Sequence, residues 1–536
     1  MPAIAVKHIL PGAAALQALL AVELLHGPSP ILCFLCALLI NSICYAFYSI
    51  FLYPAGSAPS DTSQEKNSLL GHALAEFEMP RGDAYRRFMD ETPNTGLLHL
   101  HGLLGSEQLL LTNPTSLNEA LIQKPYGFEW PPGDSAFLRR ILGHGLITAE
   151  GAAHKAQRKQ MAQSFGVKHI RSLYPLFWEK STLMVQAIAS EMKQNSSSES
   201  DVCSWAQRAS LDIIGEAGFG WTFDTLREPE NELAESFEKI FAPTAANALL
   251  FAVSVYGPEW ALEHVPSGIS RAFVTATSRV RDVCKAFIRS KAKATKARAS
   301  HENDILAQLM KQDGMSEDSL VDQTLTFLTA GHETVAIALT WTLYLLAKHP
   351  DIQTALRNEL HSSLSNATHK TPSTLAQTLE SLPILNGVII ETLRLYPSAP
   401  VAVRVAIRNT SIMGQHIPQG TRLIIAPWSV NRSRDLWGPD AEEFQPSRWI
   451  DPDTGRASAT SIGGKVPILT FLHGPRNCIG QGFAKAELLA LVAVFIRAFE
   501  VDLPSDGYER VPGGSLSAKP KGGMRLRVKV LNAGLV

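Results

Sequence analysis

The chain has little cysteine, no excess charge of either sign and none of the common nucleotide-binding motifs. Six cysteines in 536 residues are too few for a disulfide scaffold, and no C-x-x-C pair has a partner pair or a suitable His pair to build a zinc site. Lys plus Arg is 49 against 50 for Asp plus Glu, a net charge of −1. That balance removes any general case for nucleic-acid binding or for electrostatic adhesion to anionic lipid. Gly (37) and Pro (32) are near average usage and hydrophobic residues make up 45%, which excludes collagen-like, low-complexity and disordered classes. No G-x-G-x-x-G opens a helix-like stretch and no Walker loop occurs, so dinucleotide and nucleotide sites lack support. No flavin-binding region is visible, and no room remains for one.

What is present begins with an apolar N-terminus. Ile31 to Tyr53 is a run of 23 residues without a charge. As a helix it would be about 34 Å long, enough to cross a bilayer core. Tyr45, Tyr48 and Tyr53 lie toward its C-terminal end, where aromatic side chains favour the interface. A second apolar stretch, Ile9 to Leu25, is interrupted by Gln17 and Glu23 and is open between a second span, an interfacial helix and half of a hairpin. Residues 54–68 are polar and Pro/Ser-rich and read as a linker. The expected organisation is an anchor over 1–53, the linker, and one catalytic domain over 69–536.

Helical periodicity dominates that domain from about Asn118 to His361. Strand-like runs are short: Leu97–His101, Gln108–Leu111, Val401–Ile407, Thr421–Pro427 and the alternating Arg525–Asn532. Many helices with small sheets predict a mainly α domain of the α+β type.

The strongest local signal is Phe471-Leu-His-Gly-Pro-Arg-Asn-Cys-Ile-Gly480, followed by an apolar helical stretch. A thiol placed just before a helix N-terminus sits near unpaired N–H groups and the positive end of the dipole, both of which favour thiolate. Gly474 and Gly480 permit close backbone approach to something flat, and Arg476 offers a cation to an anionic ligand group. An isolated cysteine in a Gly-rich loop would carry no such weight; Phe, Gly, Arg, Cys and Gly at these offsets do.

F-x-x-G-x-R-x-C-x-G resembles the haem-ligand loop of the cytochrome P-450 haem-thiolate monooxygenases. The resemblance implies haem b, with Cys478 as the iron ligand, Phe471 covering the haem near the sulfur and Arg476 paired with a propionate. Two further motifs follow the family order. Ala330-Gly-His-Glu-Thr334 interrupts the apolar run Leu320–His349 with polar residues that are costly inside a core. It is similar to the family's oxygen-activating signature: Gly331 would let the helix widen beside the haem. Thr334 would hydrogen-bond reduced dioxygen or an adjacent water, and Glu333 would help relay the two protons that a dry pocket must receive. His332 has no assigned role. Glu391-Thr-Leu-Arg394 puts an acid and a base on one helical face, ordinary decoration when solvated. With Arg448 as third partner it is similar to the family's Glu-Arg-Arg triad, a structural support. His154 and Arg158, at i and i+4, and Arg404, in a strand after the Glu-Arg helix, match propionate-contacting positions.

The resemblance covers roughly Leu69 to Leu531. It implies a membrane-anchored monooxygenase from a eukaryote, in style a filamentous fungus. The localisation expected is the endoplasmic reticulum, with a single-pass anchor, contact with membrane lipid and the catalytic domain facing the cytosol. One atom of O2 would enter a lipophilic small molecule by hydroxylation or epoxidation, in secondary metabolism. No reductase is encoded in the chain, so electrons would come from an NADPH-dependent reductase, with cytochrome b5 as a further donor. Those partners would dock near Cys478, where Lys465, Arg476 and Lys485 offer basic groups. Nucleic acid is not expected as a partner. The pocket roof would come from Phe128–Arg140, Gly215–Val255, Phe327–Thr334 and Ser398–Val403, with Phe128, Trp130, Phe137, Phe219, Trp221, Phe251, Phe327, Leu328, Ala399 and Val401 as its apolar lining. Two other classes stay open: a haem-thiolate isomerase or dehydratase needing no reductase, which Glu333 and Thr334 argue against, and a non-catalytic haem-binding membrane protein.

Overall fold

A computed structural model describes residues 71–531, except 229–230, 243, 258–266, 297–303, 312–314, 365–370, 459–467, 505–509 and 515; it also describes 37–38 and 40–41. The anchor and linker expected over 1–68 lie outside the described residues but for those four, which are helical. Among the described residues no single helix is long and apolar enough to cross a membrane.

The domain is built on helices. Those that shape the site are α1 (Pro132–Leu142), α2 (Gly151–Met161), α3 (Tyr174–Asn195), α4 (Val202–Phe219), α5 (Glu232–Phe241), α6 (Glu317–Lys348), α7 (Pro383–Leu395) and α8 (Gln481–Ala498). Their ends follow from local chemistry. Asp201 caps α4 by accepting from the N–H groups of Cys203 and Ser204, and Gly220 ends it at φ +63°. α6 starts at Ser316, whose side chain accepts from Ser319 N, with Glu317 and Asp318 in its first turn and Lys348 in its last, matching its dipole. At 32 residues it would be about 48 Å long. It is buried for nearly its whole length, which explains why its sequence shows almost no polar face.

The strands are β1 (Leu97–His101), β2 (Glu107–Leu111), β3 (Phe128–Glu129), β4 (Glu199–Asp201), β5 (Ala402–Ala406), β6 (Thr410–Ile412), β7 (Gln415–Ile417), β8 (Arg422–Ile425), β9 (Phe499–Asp502) and β10 (Arg525–Val530). They form a five-stranded sheet in the order β1-β2-β8-β5-β3, a three-stranded sheet β4-β10-β9 and the hairpin β6-β7. Only β2 and β8 run parallel in the larger sheet.

One large core joins α3, α4, α6, α7 and α8, and a smaller one lies under the five-stranded sheet. α4 reaches α6 closely at Gly331, where a Cβ would stand 2.9 Å from Ile214 Cδ1. The expected widening of the helix at Gly331 is not seen: α6 is continuous α-helix through 330–334. The missing side chain makes room for Ile214 instead. The five strands expected from sequence each lie within two residues of an observed one; β9 is not among them, and β3, β4, β6 and β7, of two or three residues each, are too short to show alternation.

Candidate active site

A cavity lies between the middle of α6 and the loop that leads into α8. About 340 Å³ of it is open to the centre of a water-sized sphere. Ala330, Gly331, Thr334, Val335 and Ala338 of α6 form one wall; Phe471, Leu472, Arg476, Asn477, Cys478, Ile479 and Gly480 form the opposite side.

The cysteine loop is held by its own backbone. Cys478 N donates to Phe471 O at 2.9 Å, closing the turn. Gly474, at φ +76°, fits against Leu121 O, which a Cβ would meet at 2.1 Å, so only glycine serves there. Leu472 takes a left-handed φ of +53° in the cavity wall, a strain of about 1–3 kcal/mol that the surrounding contacts must hold. The Cys478 sulfur is exposed to the cavity while protein surrounds it. Burial pushes its thiol up, opposed by the Gly480 N–H and then by Arg158. A metal cation at the sulfur would favour the thiolate.

Positive charge gathers at the same cavity. Arg158, Arg404 and Arg476 all line it, as does His154. Arg158 donates to Asn477 O and Asn477 Oδ1, beside Cys478. Arg476 pairs with Glu150 and donates to Phe128 O and Ala149 O, both at 3.2 Å. Arg404 donates to Val403 O at 2.7 Å and lies 4.3 Å from the Trp130 ring centroid. Burial, then Arg476, brings its guanidinium down to about 9, still charged at neutral pH. His154 meets Tyr126 Oη at 3.1 Å; burial, then Arg476, Arg158 and Arg404, lowers it to about 4, so it is neutral. Among the described residues lining this space, three guanidiniums stand without a carboxylate of their own in the lining; Glu150 partners one of them from outside it. Such an excess of partly buried cation requires anions. A flat ligand carrying two carboxylates and a metal open to a sulfur fits these residues.

Glu391 and Arg394 are fully buried on α7. Arg394 Nη2 and Nε donate to the two carboxylate oxygens at 2.7 and 2.8 Å. Its remaining donors go to Asn431 O, Ala441 O and Glu443 O. Arg448 is a third partner, but a distant one: its Nε lies 3.5 Å from Glu391 Oε1 while its Nη2 pairs with Asp440 at 2.8 Å, and Trp449 Nε1 (2.8 Å) and Gln445 N (3.1 Å) donate to Glu391 more closely. The network ties α7 to the segment before the cysteine loop: Asn431, whose carbonyl takes Arg394, accepts Leu469 N on its side chain at 2.9 Å.

Thr334 Oγ1 donates to Ala330 O at 2.8 Å, and its own carbonyl accepts from Ser398 Oγ at 2.8 Å. Glu333 does not line the cavity; it faces Gln207 and Ser517. The expected roof needs correction. Of its named side chains, Trp130, Phe327 and Ala399 line the cavity. Phe137 and Phe251 pack on one another, and Phe219 and Trp221 pack on Phe287; Phe128, Leu328 and Val401 are also absent from the lining. Phe165 and Ile214, which the sequence did not single out, are in it. Ala338, one turn beyond Thr334, continues the helical spacing of Phe327, Ala330, Gly331 and Thr334 and could have been found by projecting Thr334 along its helix; Phe165 and Asn477 carry no such signal. As for a docking face, Arg476 is turned inward and 8% exposed, Lys485 is half-buried 5.7 Å from the Phe471 ring, and Lys465 lies outside the described residues.

A thiol open to a cation-rich cavity, beneath a threonine-bearing helix, defines a haem-thiolate class of protein. The family model described as "Cytochrome P450" matches residues 69–526. The chain belongs to the cytochrome P450 family and is a cytochrome P450 monooxygenase, which implies a haem-thiolate cofactor, dioxygen and an organic substrate. It is 36% identical over 504 residues to the cytochrome P450 monooxygenase ptmK of Penicillium ochrochloron, covering 92% of this chain and 98% of that protein. It is 39% identical over 468 residues to the cytochrome P450 monooxygenase sphH of Aspergillus fumigatus, covering 85% and 86%.

Proposed function

We propose that the chain hydroxylates or epoxidises a lipophilic small molecule of fungal secondary metabolism, at a haem b ligated by Cys478, with electrons from NADPH through a separate reductase. The observation that carries this reading is the cavity itself, with Cys478 on one side, Thr334 on the other and three arginines at its edge. Bound there, the haem would supply dioxygen binding and reduction, the thiolate favouring O–O cleavage. The chain's residues do the rest. Arg404, Arg476 and Arg158, with neutral His154, receive the two propionates. Phe471 and Leu488 shield the sulfur side from water. Thr334 holds a proton donor over the reacting face, and Glu333 replenishes it.

The distal wall is apolar (Phe327, Ala330, Val335, Ala338, Ala399), which supports a lipophilic substrate bound mainly by burial. The apolar run 31–53 supports an anchored protein in the endoplasmic-reticulum membrane with its domain in the cytosol. Cytochrome b5 is a second electron donor in this reading. The experiment is the spectrum of the ferrous protein under carbon monoxide, with haem counted per chain. A strongly red-shifted Soret band at one haem per chain is expected. A histidine-type band in freshly folded protein, or no haem, would refute the assignment of Cys478.

A further inference from the structure

Thr334 and Glu333 are neighbours on α6 with different surroundings. Thr334 faces the cavity. Glu333 is 3% exposed, and its two oxygens meet Gln207 Nε2 and Ser517 Oγ, each at 3.4 Å. Such contacts are at the outer limit of a hydrogen bond. Glu391, equally buried, is gripped by donors at 2.7, 2.8, 2.8 and 3.1 Å. A carboxylate held by four short bonds is fixed. One touched by two long contacts keeps the freedom to turn that a proton carrier needs.

Ser517 belongs to a turn near the C-terminus. Pro512 and Pro520 pair across it, Gly513 N donates to Lys519 O at 2.8 Å, and Lys521 N donates to Val511 O at 2.9 Å. Two consecutive residues of this turn bond to the same stretch of α6. Ser517 donates to Glu333. Ala518 N donates to Ser398 O at 2.9 Å, and Ser398 Oγ in turn donates to Thr334 O at 2.8 Å. Ala518 O accepts from Trp341 Nε1 at 2.8 Å, two turns along α6, which locks the segment against the helix. Lys519, the next residue and 7% exposed, adds a buried cation whose field favours the Glu333 carboxylate.

We propose that the turn 517–519 is the positioning element of proton delivery, Ser517 holding Glu333 from behind and Ala518, through Ser398, holding the carbonyl of Thr334, while Lys519 adds a buried positive charge to the turn. The inference rests on the proposed roles of Glu333 and Thr334. Neither Ser517 nor Lys519 touches the cavity, so they act through Glu333. The charged and titratable groups around Glu333 are Lys519 from the turn, Glu238 from α5, Cys203 from α4 and His332 beside it. Burial raises the Glu333 carboxyl; Lys519 opposes this most, then Gln207 and Ser517, while Glu238 adds to it. Lys519 therefore favours the ionised carboxylate against its burial. Without that cation, burial would hold the acid neutral to higher pH and slow its turnover as a relay.

Infrared difference spectra of the holoprotein, taken across a pH titration, isolate the Glu333 carboxyl band as the one lost in Glu333→Gln. In Lys519→Met its titration moves upward, and Lys519→Arg restores it, which a loss of packing alone would not produce. Ser517→Ala, which removes a single hydroxyl, moves it in the same direction and carries the test if Lys519→Met does not retain haem. A Glu333 titration unchanged in these variants overturns the proposal. The parent reading has a separate readout, the peroxide released per NADPH consumed with a flavoprotein reductase. A rise in Thr334→Ala supports it. No rise, alongside a shifted Glu333 band in Lys519→Met, refutes proton delivery by Thr334 and leaves the turn's hold on Glu333 standing.

Discussion

Replacing Glu391 by alanine tests whether the buried acid on α7 is the keystone of the cysteine loop. Arg394 is 0% exposed, so the substitution strands a guanidinium with no solvent to turn to. Breaking a buried pair from one side costs about 3–5 kcal/mol. Trp449 Nε1 and Gln445 N lose their acceptor as well, at about 1–3 kcal/mol each. The sum exceeds about 5 kcal/mol, comparable to the whole stability of an ordinary domain, about 5–15 kcal/mol. Arg448 makes the contrast. It is 12% exposed, stands 3.5 Å from Glu391, and its shorter partner Asp440 is 32% exposed; pairs of that kind contribute about 0–1 kcal/mol. Arg448→Ala should therefore cost about 1 kcal/mol, and Trp449→Phe, which deletes one buried donor to a carboxylate, about 1–3 kcal/mol. Haem per purified chain and the temperature at which the thiolate-type spectrum is lost rank the three. Little holoprotein is expected for Glu391→Ala, with near-normal haem and a modest thermal shift for the other two. Equal losses in Glu391→Ala and Arg448→Ala would refute the reasoning, because then the three-residue triad, and not the Glu391–Arg394–Trp449 geometry, carries the load.

Three further outcomes follow from other parts of the molecule. His332 is buried against Phe237, its Nδ1 has no partner among the described residues, and burial, then Lys519, lowers it to about 3. Below about pH 6.5 the unfolded chain binds a proton the native ring refuses, so native stability falls with acidification, by about 2 kcal/mol near pH 5. His332→Phe should narrow the gap between thermal midpoints measured near neutrality and near pH 5; an unchanged gap would show that the ring is solvated. Cys478→Ala should abolish the red-shifted ferrous carbon-monoxide band, and a wild-type band in that variant would remove Cys478 as ligand. Deleting residues 1–53 should move the expressed protein from the membrane pellet toward the supernatant, and unaltered pelleting of correctly folded protein would place the anchor elsewhere.

Legibility in the sequence depended on whether a function constrains neighbours along the chain or only in space. The cysteine loop was readable because one short turn must do several jobs. It presents a sulfur, lets a flat group approach and starts a helix, and each job restricts a residue at a fixed offset. The strands Leu97–His101 and Arg525–Val530 were readable because each alternates or is apolar over five or six residues. Phe165 and Asn477 left no trace: one is an aromatic at the end of a short 3-10 turn, the other a loop asparagine, and both owe their place to elements far away in sequence. The roof aromatics failed for the opposite reason. Phe137, Phe219 and Phe251 are large and apolar, which predicts burial but not against what, and here Phe137 and Phe251 bury against each other and Phe219 against Phe287, while Trp221 packs on Phe287 and stays exposed. Glu333 and Glu391 carry the same point furthest. Each lies in an apolar helix and each is buried, so hydrophobic pattern does not separate them; only the motifs around them, A-G-x-E-T and E-x-x-R, do. In the structure they differ in their partners, a paired arginine and donors at 2.7–3.1 Å on Glu391 against two neutral contacts at 3.4 Å on Glu333. The residues that set that difference, Trp449 and Ser517, are 58 and 184 positions away. A buried acid becomes a strut or a carrier according to how tightly its partners hold it, and that property belongs to the fold.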